Sequence, residues 1–526
     1  MQSISGSRDV VIVGSGHNGL VAAAYLAAAG KSVLVLERSP VAGGAAVSQR
    51  VFPDHDAWLS RYSYLVSLLP DQIVRELGLN FRTLRRRVSS YTPWRDGAGR
   101  QRGLLLFPDD LQRSRESMSE LPGGAAEWQS YLEFGRLQSE LATVVAPSFL
   151  QPLQTRQQFL RQLQTADQRR AWDSFVERPL GEVIERCFRT DVVRGLVMTD
   201  GKIGVLASPH DENLLQNRCF LYHVCGNGTG EWRVPEGGMR SLTGALLSRC
   251  RAAGAEVLTE SPAVQIEPGP RWHRVTFQQD GRECGVDAEY VLLNAGPRTA
   301  ARLLGQNYQS QPADEGSVIK INMLLRRLPR LLDQGVLARD AFAGTFHVDE
   351  GYEQMLQSWK AAVSGEIPNP APGEIYCHTL TDASILSPQL QAEGYHTLTL
   401  FGLDMPWRLF EHDHDARREA VLQRYLAGLN RLCAEPFEDC LARSAGGELC
   451  LEMHTPQDLQ SELDLDSGNI FHNQPSWFFA ETGELSGQRG VETPWSRIYL
   501  AGSAALRGGA ISGIPGYHAA RCVLET

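Results

Sequence analysis

Val10-Val11-Ile12-Val13-Gly14-Ser15-Gly16-His17-Asn18-Gly19-Leu20-Val21-Ala22-Ala23-Ala24 opens the reading, and Val33-Leu34-Val35-Leu36-Glu37 follows it across Gly30. An apolar strand, a glycine turn, a small-residue helix and a second strand ending on an acid make one half of a Rossmann unit. Gly14 makes the tight exit from the strand. Gly16 lets backbone approach a pyrophosphate, Gly19 lets the helix pack on the sheet, and Gly30 stops the helix. The helix N-terminus offers unpaired N–H groups and a positive dipole end to phosphates.

Glu37 stands at the spacing needed to accept both hydroxyls of a ribose, which favours FAD or NAD over NADP. The next stretch, Glu37-Arg38-Ser39-Pro40-Val41-Ala42-Gly43-Gly44-Ala45-Ala46, separates the first two. A second glycine pair soon after the ribose acid brings backbone N–H groups to the pyrophosphate from the other side. A simple nicotinamide domain does not need it, so FAD leads.

The remaining sequence bounds the class. At 526 residues with a net charge of −10, the chain is large enough for two or three domains and lacks the basic balance of a nucleic-acid binder. Its 10 cysteines include no C-x-x-C pair, so they read as reduced thiols without a disulfide frame, a metal site or a redox relay. The polar N-terminus has no signal-peptide pattern and no apolar stretch is long enough for a span, so the expected location is the cytoplasm. No fixed-period repeat occurs.

Farther along, residues from about 105 to 230 read mostly as helices. Val234-Pro235-Glu236-Gly237-Gly238-Met239 leads into a helix ending near Gly254, followed by strand Glu256 to Glu260. Ala263 to Ile266 and Tyr290 to Pro297 read as further strands of the first domain. Ile319 to Leu325 and His396 to Phe401 read as strands of another, with a helix over Arg417 to Cys433. Arg497 to Arg521 repeats the first theme: a strand ending in Gly502-Ser503, a glycine-rich turn, then a small-residue helix. Its positive dipole end suits the ribityl chain and the N1/O2 edge of a flavin.

These blocks resemble the phytoene desaturase superfamily. Within it they resemble the branch of pyridine nucleotide-disulphide oxidoreductase-domain-containing proteins and cyanobacterial-type beta-carotene ketolases. The resemblance rests on Gly16-His17-Asn18-Gly19-Leu20, Gly43-Gly44-Ala45-Ala46-Val47, Ser60-Arg61, Ser63-Tyr64-Leu65, Pro235 to Met239, Lys320-Ile321-Asn322 and Gly468 to His472. It implies a Rossmann-like, glutathione-reductase-like α/β domain binding FAD non-covalently, with an α+β substrate domain and a helical subdomain. The FAD-binding domain would be assembled from residues 1–100, 231–300 and 486–526, with a helical entrance region at 101–230 and the substrate domain at 301–485. Gly14, Gly16, Gly19, Glu37, Arg38, Gly43 and Gly44 would hold the ADP half, with Ser15, His17, Asn18 and Ala45 between them. Val264 would meet the adenine through its backbone, and Gly502, Ser503, Ala510 and Ile511 would lie along the ribityl chain and flavin ring.

One departure stands out. Where the superfamily commonly has a His-Pro-Gly-Gly-Gly turn, this chain has Ala505-Leu506-Arg507-Gly508-Gly509-Ala510. Arg507 is therefore the first catalytic candidate, as a cation for a reduced flavin or an acidic substrate, with Arg61 and Tyr62 behind it. Arg61 has the alternative of bracing the loop after the Gly-Gly pair.

The lesser signals read blandly. Gly226 to Gly230, after an extended Phe220 to Val224, is a plain turn because no helix follows it. His412 and His414 with Glu411, Asp413 and Asp415 are a solvated loop or helix cap, so no metal site is expected. Arg82, Arg85, Arg86 and Arg87 read as a solvated face. Pro147 to Trp172 mixes apolar residues with Arg156, Arg161, Arg169 and Arg170; it is either a peripheral membrane contact or a stripe packed in the helical subdomain.

The expected activity is an FAD-dependent dehydrogenase, desaturase or oxidase acting on a hydrophobic or amphipathic small molecule, with oxygen or quinone as acceptor. No nicotinamide-binding domain is visible. The alternatives are an amine or amino-acid oxidase on the same architecture, and a binding or assembly protein with structural FAD.

Overall fold

The structure is a computed structural model that describes residues 6–309 and 314–526. Strand β1 (Ser7–Val13) runs parallel to β2 (Val33–Leu36), with Val10 opposite Val33 and Val13 opposite Leu36. All four residues of β2 are buried, as expected of a parallel strand covered on both faces. Between them helix α1 (His17–Ala28) is buried on nearly every side and packs against helices Met239–Ala252 and Ile514–Leu524. Its alanines and glycine permit this approach. At Gly516 a Cβ would come within 1.9 Å of the Asn18 carbonyl oxygen, so the last helix meets α1 backbone to backbone.

The sheet is completed from distant sequence. Strand Arg282–Leu293 lies parallel to the other side of β1, and Ile498–Leu500 lies parallel to its final residues, Val291 to Leu293. Glu256–Leu258 flanks β2, while Ala263–Glu267 and His273–Gln279 extend the far edge antiparallel. Because β1, Arg282–Leu293 and Ile498–Leu500 run the same way, their carboxyl ends share one edge of the sheet. That edge is where a doubly wound fold receives its ligand. The α/β architecture is the one expected from the sequence.

A second seven-stranded sheet has the order Leu451–His454, Ile319–Leu325, His396–Gly402, Gly373–Tyr376, Thr345–Val348, Ser90–Arg95 and Gln101–Leu106. It is antiparallel except where Thr345–Val348 pairs with Ser90–Arg95. Ser90–Arg95, placed by the sequence reading within the first segment at 1–100, joins this second sheet: Ser90 and Tyr91 pair with Thr345 and Phe346 rather than with the first sheet. Helix Leu111–Ser119 packs on Gln101–Leu106, and helix Asp191–Met198 meets Ser90–Arg95.

Two local readings also change. Phe220 to Val224 closes the helix Leu215–Val224 instead of being extended, because Phe220 and Leu221 are buried against other helices. Within Pro147 to Trp172, helices Arg156–Gln162 and Ala166–Val176 each begin with a capping box, Thr155 with Gln158 and Thr165 with Gln168. Phe159, Leu163 and Trp172 are buried, with Phe159 meeting Phe478 edge to face at 4.9 Å. Most of the apolar stripe therefore packs inside, while Leu160 stays exposed. Among the described residues no helix is long and apolar enough to cross a membrane.

Candidate active site

Two glycine segments converge on one side chain, and a third rests on the first of them. Gly14 has φ +94°, and a Cβ there would lie 2.3 Å from the Asn294 carbonyl oxygen. Asn294 Nδ2 donates to the Gly14 carbonyl at 3.0 Å, and a Cβ on Gly502 would lie 2.7 Å from Asn294 Oδ1. A Cβ on Gly19 would lie 2.3 Å from the Gly14 oxygen, and one on Gly44 would lie 3.2 Å from the Gly16 Cα. The second glycine pair thus rests on the first glycine turn. Asn294, after strand Arg282–Leu293, ties the first glycine turn to the C-terminal glycine segment. Sequence reading placed it in a strand and turn but missed its role; the signal was a polar residue ending an apolar run.

No side chain caps α1, so its first-turn amides remain for an anion. Glu37 is 7% exposed, and its Oε2 accepts from the Ser15 N–H at 2.9 Å and the Ser15 hydroxyl at 2.7 Å. Ser39 N–H holds Oε1 at 2.9 Å. The Ser261 N–H donates to the Glu37 carbonyl at 2.7 Å, which lays the start of Ala263–Glu267, with exposed Val264, beside this strand end. Arg38 is exposed and donates to the Glu462 carbonyl at 2.9 Å. An uncapped helix, backbone that tolerates no Cβ and an anchored buried carboxylate together fit an ADP moiety.

A cavity of about 540 Å³ adjoins this edge. His17, Ala45, Ser503, Ala510 and Ile511 form its glycine-loop wall. Burial lowers the His17 and His472 imidazoles to about 4, so both stay neutral near pH 7. His17 Nε2 then accepts from the Ser512 N–H at 3.3 Å. Ala510 sits at φ +39°, a left-handed backbone where glycine would be at ease.

Val318, Phe401, Ile203 and Ile470 make an apolar cluster on the same cavity. Tyr64 joins it, with its ring 4.8 Å from that of Tyr376. Lys320, on the fully buried strand Ile319–Leu325, reaches the wall beside Tyr64 and donates to the Ser60 carbonyl at 2.5 Å. Burial holds its ammonium well below the usual lysine range. The Lys320-Ile321-Asn322 motif was legible, but not the direction of the lysine.

A third part of the wall is polar. Arg86 turns inward, unlike exposed Arg82, Arg85 and Arg87, and donates to the Thr345 hydroxyl at 2.9 Å. The solvated-face reading therefore fails for Arg86, because strand Thr345–Val348 and Tyr376 cover it. Asp200, Thr199, Glu374, Tyr376 and His347 stand with it. Burial, then the charges of Glu374 and Glu350, raises Asp200 to about 7; burial, then Glu350, raises Glu374 to about 7.

The three catalytic candidates separate. Tyr62 lines the cavity, though its hydroxyl is bonded to Glu462 at 2.6 Å. Arg61 pairs with Glu452 at 2.8 Å and donates to Gln49 Oε1 at 3.1 Å, away from the lining. Arg507 is 5% exposed and donates to the carbonyls of Ser148 and Gln151, both at 2.9 Å, and of Arg489 at 3.1 Å. Its guanidinium is thus turned from the cavity into the protein, which corrects the expectation that it faces a flavin or substrate. The loop around it closes onto the segment after helix Gly124–Val145, and that segment is what consumes its donors. His414 starts helix His414–Asn430 and bonds to Thr455 at 3.0 Å.

Residues 19–524 match the family of flavin containing amine oxidoreductases. The chain belongs to that family. It is 43% identical over 523 residues to an uncharacterized protein of Mycobacterium tuberculosis, covering 98% of this chain and 97% of the other. It is 29% identical over 569 residues to the mouse pyridine nucleotide-disulfide oxidoreductase domain-containing protein 2, covering 98% and 93%. The latter is the branch whose resemblance the sequence motifs carried. Among solved structures, cyclohexylamine oxidase from Brevibacterium oxydans superposes with a TM-score of 0.55 at 15% identity, covering 99% of both chains, which shows a shared fold. As a member of this family the chain is an FAD-dependent oxidoreductase. Bound FAD supplies a two-electron acceptor.

Proposed function

We propose that this chain oxidises an amphipathic small molecule, with its reacting C–H bond held at the glycine-loop wall and its polar group at the wall of Arg86, Asp200 and Glu374. The first sheet with α1 and helices Met239–Ala252 and Ile514–Leu524 is then the FAD-binding domain, and the second sheet supplies the substrate wall. The observation that carries this reading is the split character of one cavity: apolar around Val318, Phe401 and Ile470, charged around Arg86 and Glu374. A pure hydrocarbon such as a carotenoid would offer no polar contact to this part of the wall and would keep water from it. An amphipathic molecule satisfies both parts.

The chain's own residues bind, orient and exclude water. Tyr64, Phe401 and Phe471 restrict the approach of the reacting carbon, and neutral His17 fixes the loop of Ser512. Lys320, with its depressed ammonium, is the group placed to take or hold a proton on the wall near Tyr64. Oxygen or a quinone is the proposed acceptor, since the fold shows no second nucleotide domain among the described residues.

A second reading, oxidation of an amine, is favoured by the Tyr64–Tyr376 pair and by the acid excess of the polar wall. Anaerobic addition of an amine panel, an amphipathic alcohol panel and an isoprenoid hydrocarbon extract to the FAD-loaded protein tests both. Bleaching of the flavin's visible band by amphipathic alcohols supports the main reading, and bleaching by amines alone replaces it with the second. Bleaching by the hydrocarbon extract alone overturns both.

A further inference from the structure

The sequence drew attention to His412 and His414, yet the metal-ligating side-chain types gather elsewhere. His347 and Glu374 stand directly opposite each other on the antiparallel strands Thr345–Val348 and Gly373–Tyr376. Asp349, at φ +53°, turns the chain so that Glu350 folds back and hydrogen bonds to His347 Nδ1. One nitrogen or oxygen from each of His347, Glu350 and Glu374 lies within 4.8 Å of the other two. All three residues are only 2% exposed.

The cluster is incompletely satisfied. His347 Nε2 and Glu350 Oε1 are buried without a hydrogen-bond partner. Glu374 accepts from the Thr199 hydroxyl at 3.0 Å and from Tyr376. Buried polar atoms left unpaired are costly, and more so when they are charged.

Asp349 is paired with Arg431 at 2.6 Å, and Glu231 with Arg85 at 2.5 Å and Arg233 at 2.8 Å, so these acids are compensated from outside. Glu374 and Asp200 line the same cavity as the inward guanidinium of Arg86 and the ammonium of Lys320, and Glu350 lines the neighbouring one.

The geometry points to a divalent cation site formed by His347, Glu350 and Glu374. One imidazole and two carboxylates without a thiol suit Zn²⁺ or Mn²⁺, whereas Mg²⁺ favours an all-oxygen shell with several waters. An entry path exists. His347 and Glu374 line the 540 Å³ cavity, and His347 and Glu350 line a neighbouring cavity of about 170 Å³ with Thr92, Arg95 and Arg431. The site would anchor the polar wall independently of which substrate the cavity takes.

The test uses FAD-loaded protein freed of metal by a chelator and titrated calorimetrically with zinc chloride and, separately, manganese chloride. The expected result is saturation at one ion per chain for at least one metal, with a rise in Tm. Binding should weaken at least tenfold in His347→Gln and in Glu350→Gln while the flavin-to-protein ratio holds. Absence of saturable binding to the wild type overturns the proposal, as does unchanged affinity in both variants, which would mean a surface site. If a variant loses its flavin, anomalous diffraction from wild-type crystals soaked in manganese chloride decides. A peak among the three side chains supports the site, and no peak or a peak elsewhere overturns it.

Discussion

The glycine-loop wall and the polar wall face the same cavity but are built in different ways. The first is framed by backbone of the N-terminal glycine turns and of the 502–511 loop, where several glycines have no room for a Cβ. The second comes from Arg86, Asp200, His347 and Glu374, side chains from four segments of the chain. In the proposed function the backbone wall holds the cofactor, and the side-chain wall, which can change one residue at a time, carries the specificity.

The sharpest way to break this comparison is Gly14→Val. It adds a β-branched side chain at φ +94° where a Cβ already lies 2.3 Å from a carbonyl oxygen. Overpacking and left-handed strain together cost roughly 3–5 kcal/mol, so flavin loss and a lower Tm are expected in a thermal melt followed by flavin fluorescence. Next comes Arg507→Leu, which removes the donor from the Ser148, Gln151 and Arg489 carbonyls. Stability should fall by about 2–4 kcal/mol in urea melts, while turnover per bound flavin stays near wild type. A large loss of turnover at full flavin occupancy would restore Arg507 as a catalytic residue.

Glu37→Ala should weaken FAD binding by about 1.5–3 kcal/mol, since the ribose loses a charged acceptor. Unchanged retention through a desalting column would count against that role. His17 gives a pH test. Its folded value of about 4 lies below the ordinary 6.5, so the neutral ring contributes stability that is present above 6.5 and lost as pH falls toward 4. The Tm advantage of wild type over His17→Asn should shrink across that window, and parallel profiles would show that the ring is not buried neutral. The smallest effect on flavin is expected from Arg86→Gln, which should leave FAD content unchanged and alter the KM for the polar substrate.

How much was legible in advance follows the same division. The strand, turn, helix and acid from Val10 to Glu37 are local, so spacing and residue type revealed them, and β1, α1 and β2 lie where the pattern put them. Ile319–Leu325 was legible for the same reason, as a short apolar run of β-forming residues. Arg86 was not, because a run of four arginines looks solvated until distant strands cover one of them. Arg507 misled for a related reason: its place in a flavin-side loop was readable, but which way the side chain turned depended on Ser148 and Gln151, more than 350 positions away. Asn294 and the His347, Glu350 and Glu374 group likewise exist only through strand pairing.

The most direct test is the flavin-to-protein ratio of wild type, Gly14→Val and Arg86→Gln after desalting, read from absorbance. The account predicts about one FAD per chain for wild type and Arg86→Gln, and almost none for Gly14→Val. Full retention by Gly14→Val, or flavin loss caused by Arg86→Gln, would contradict the assignment of cofactor to one wall and substrate to the other.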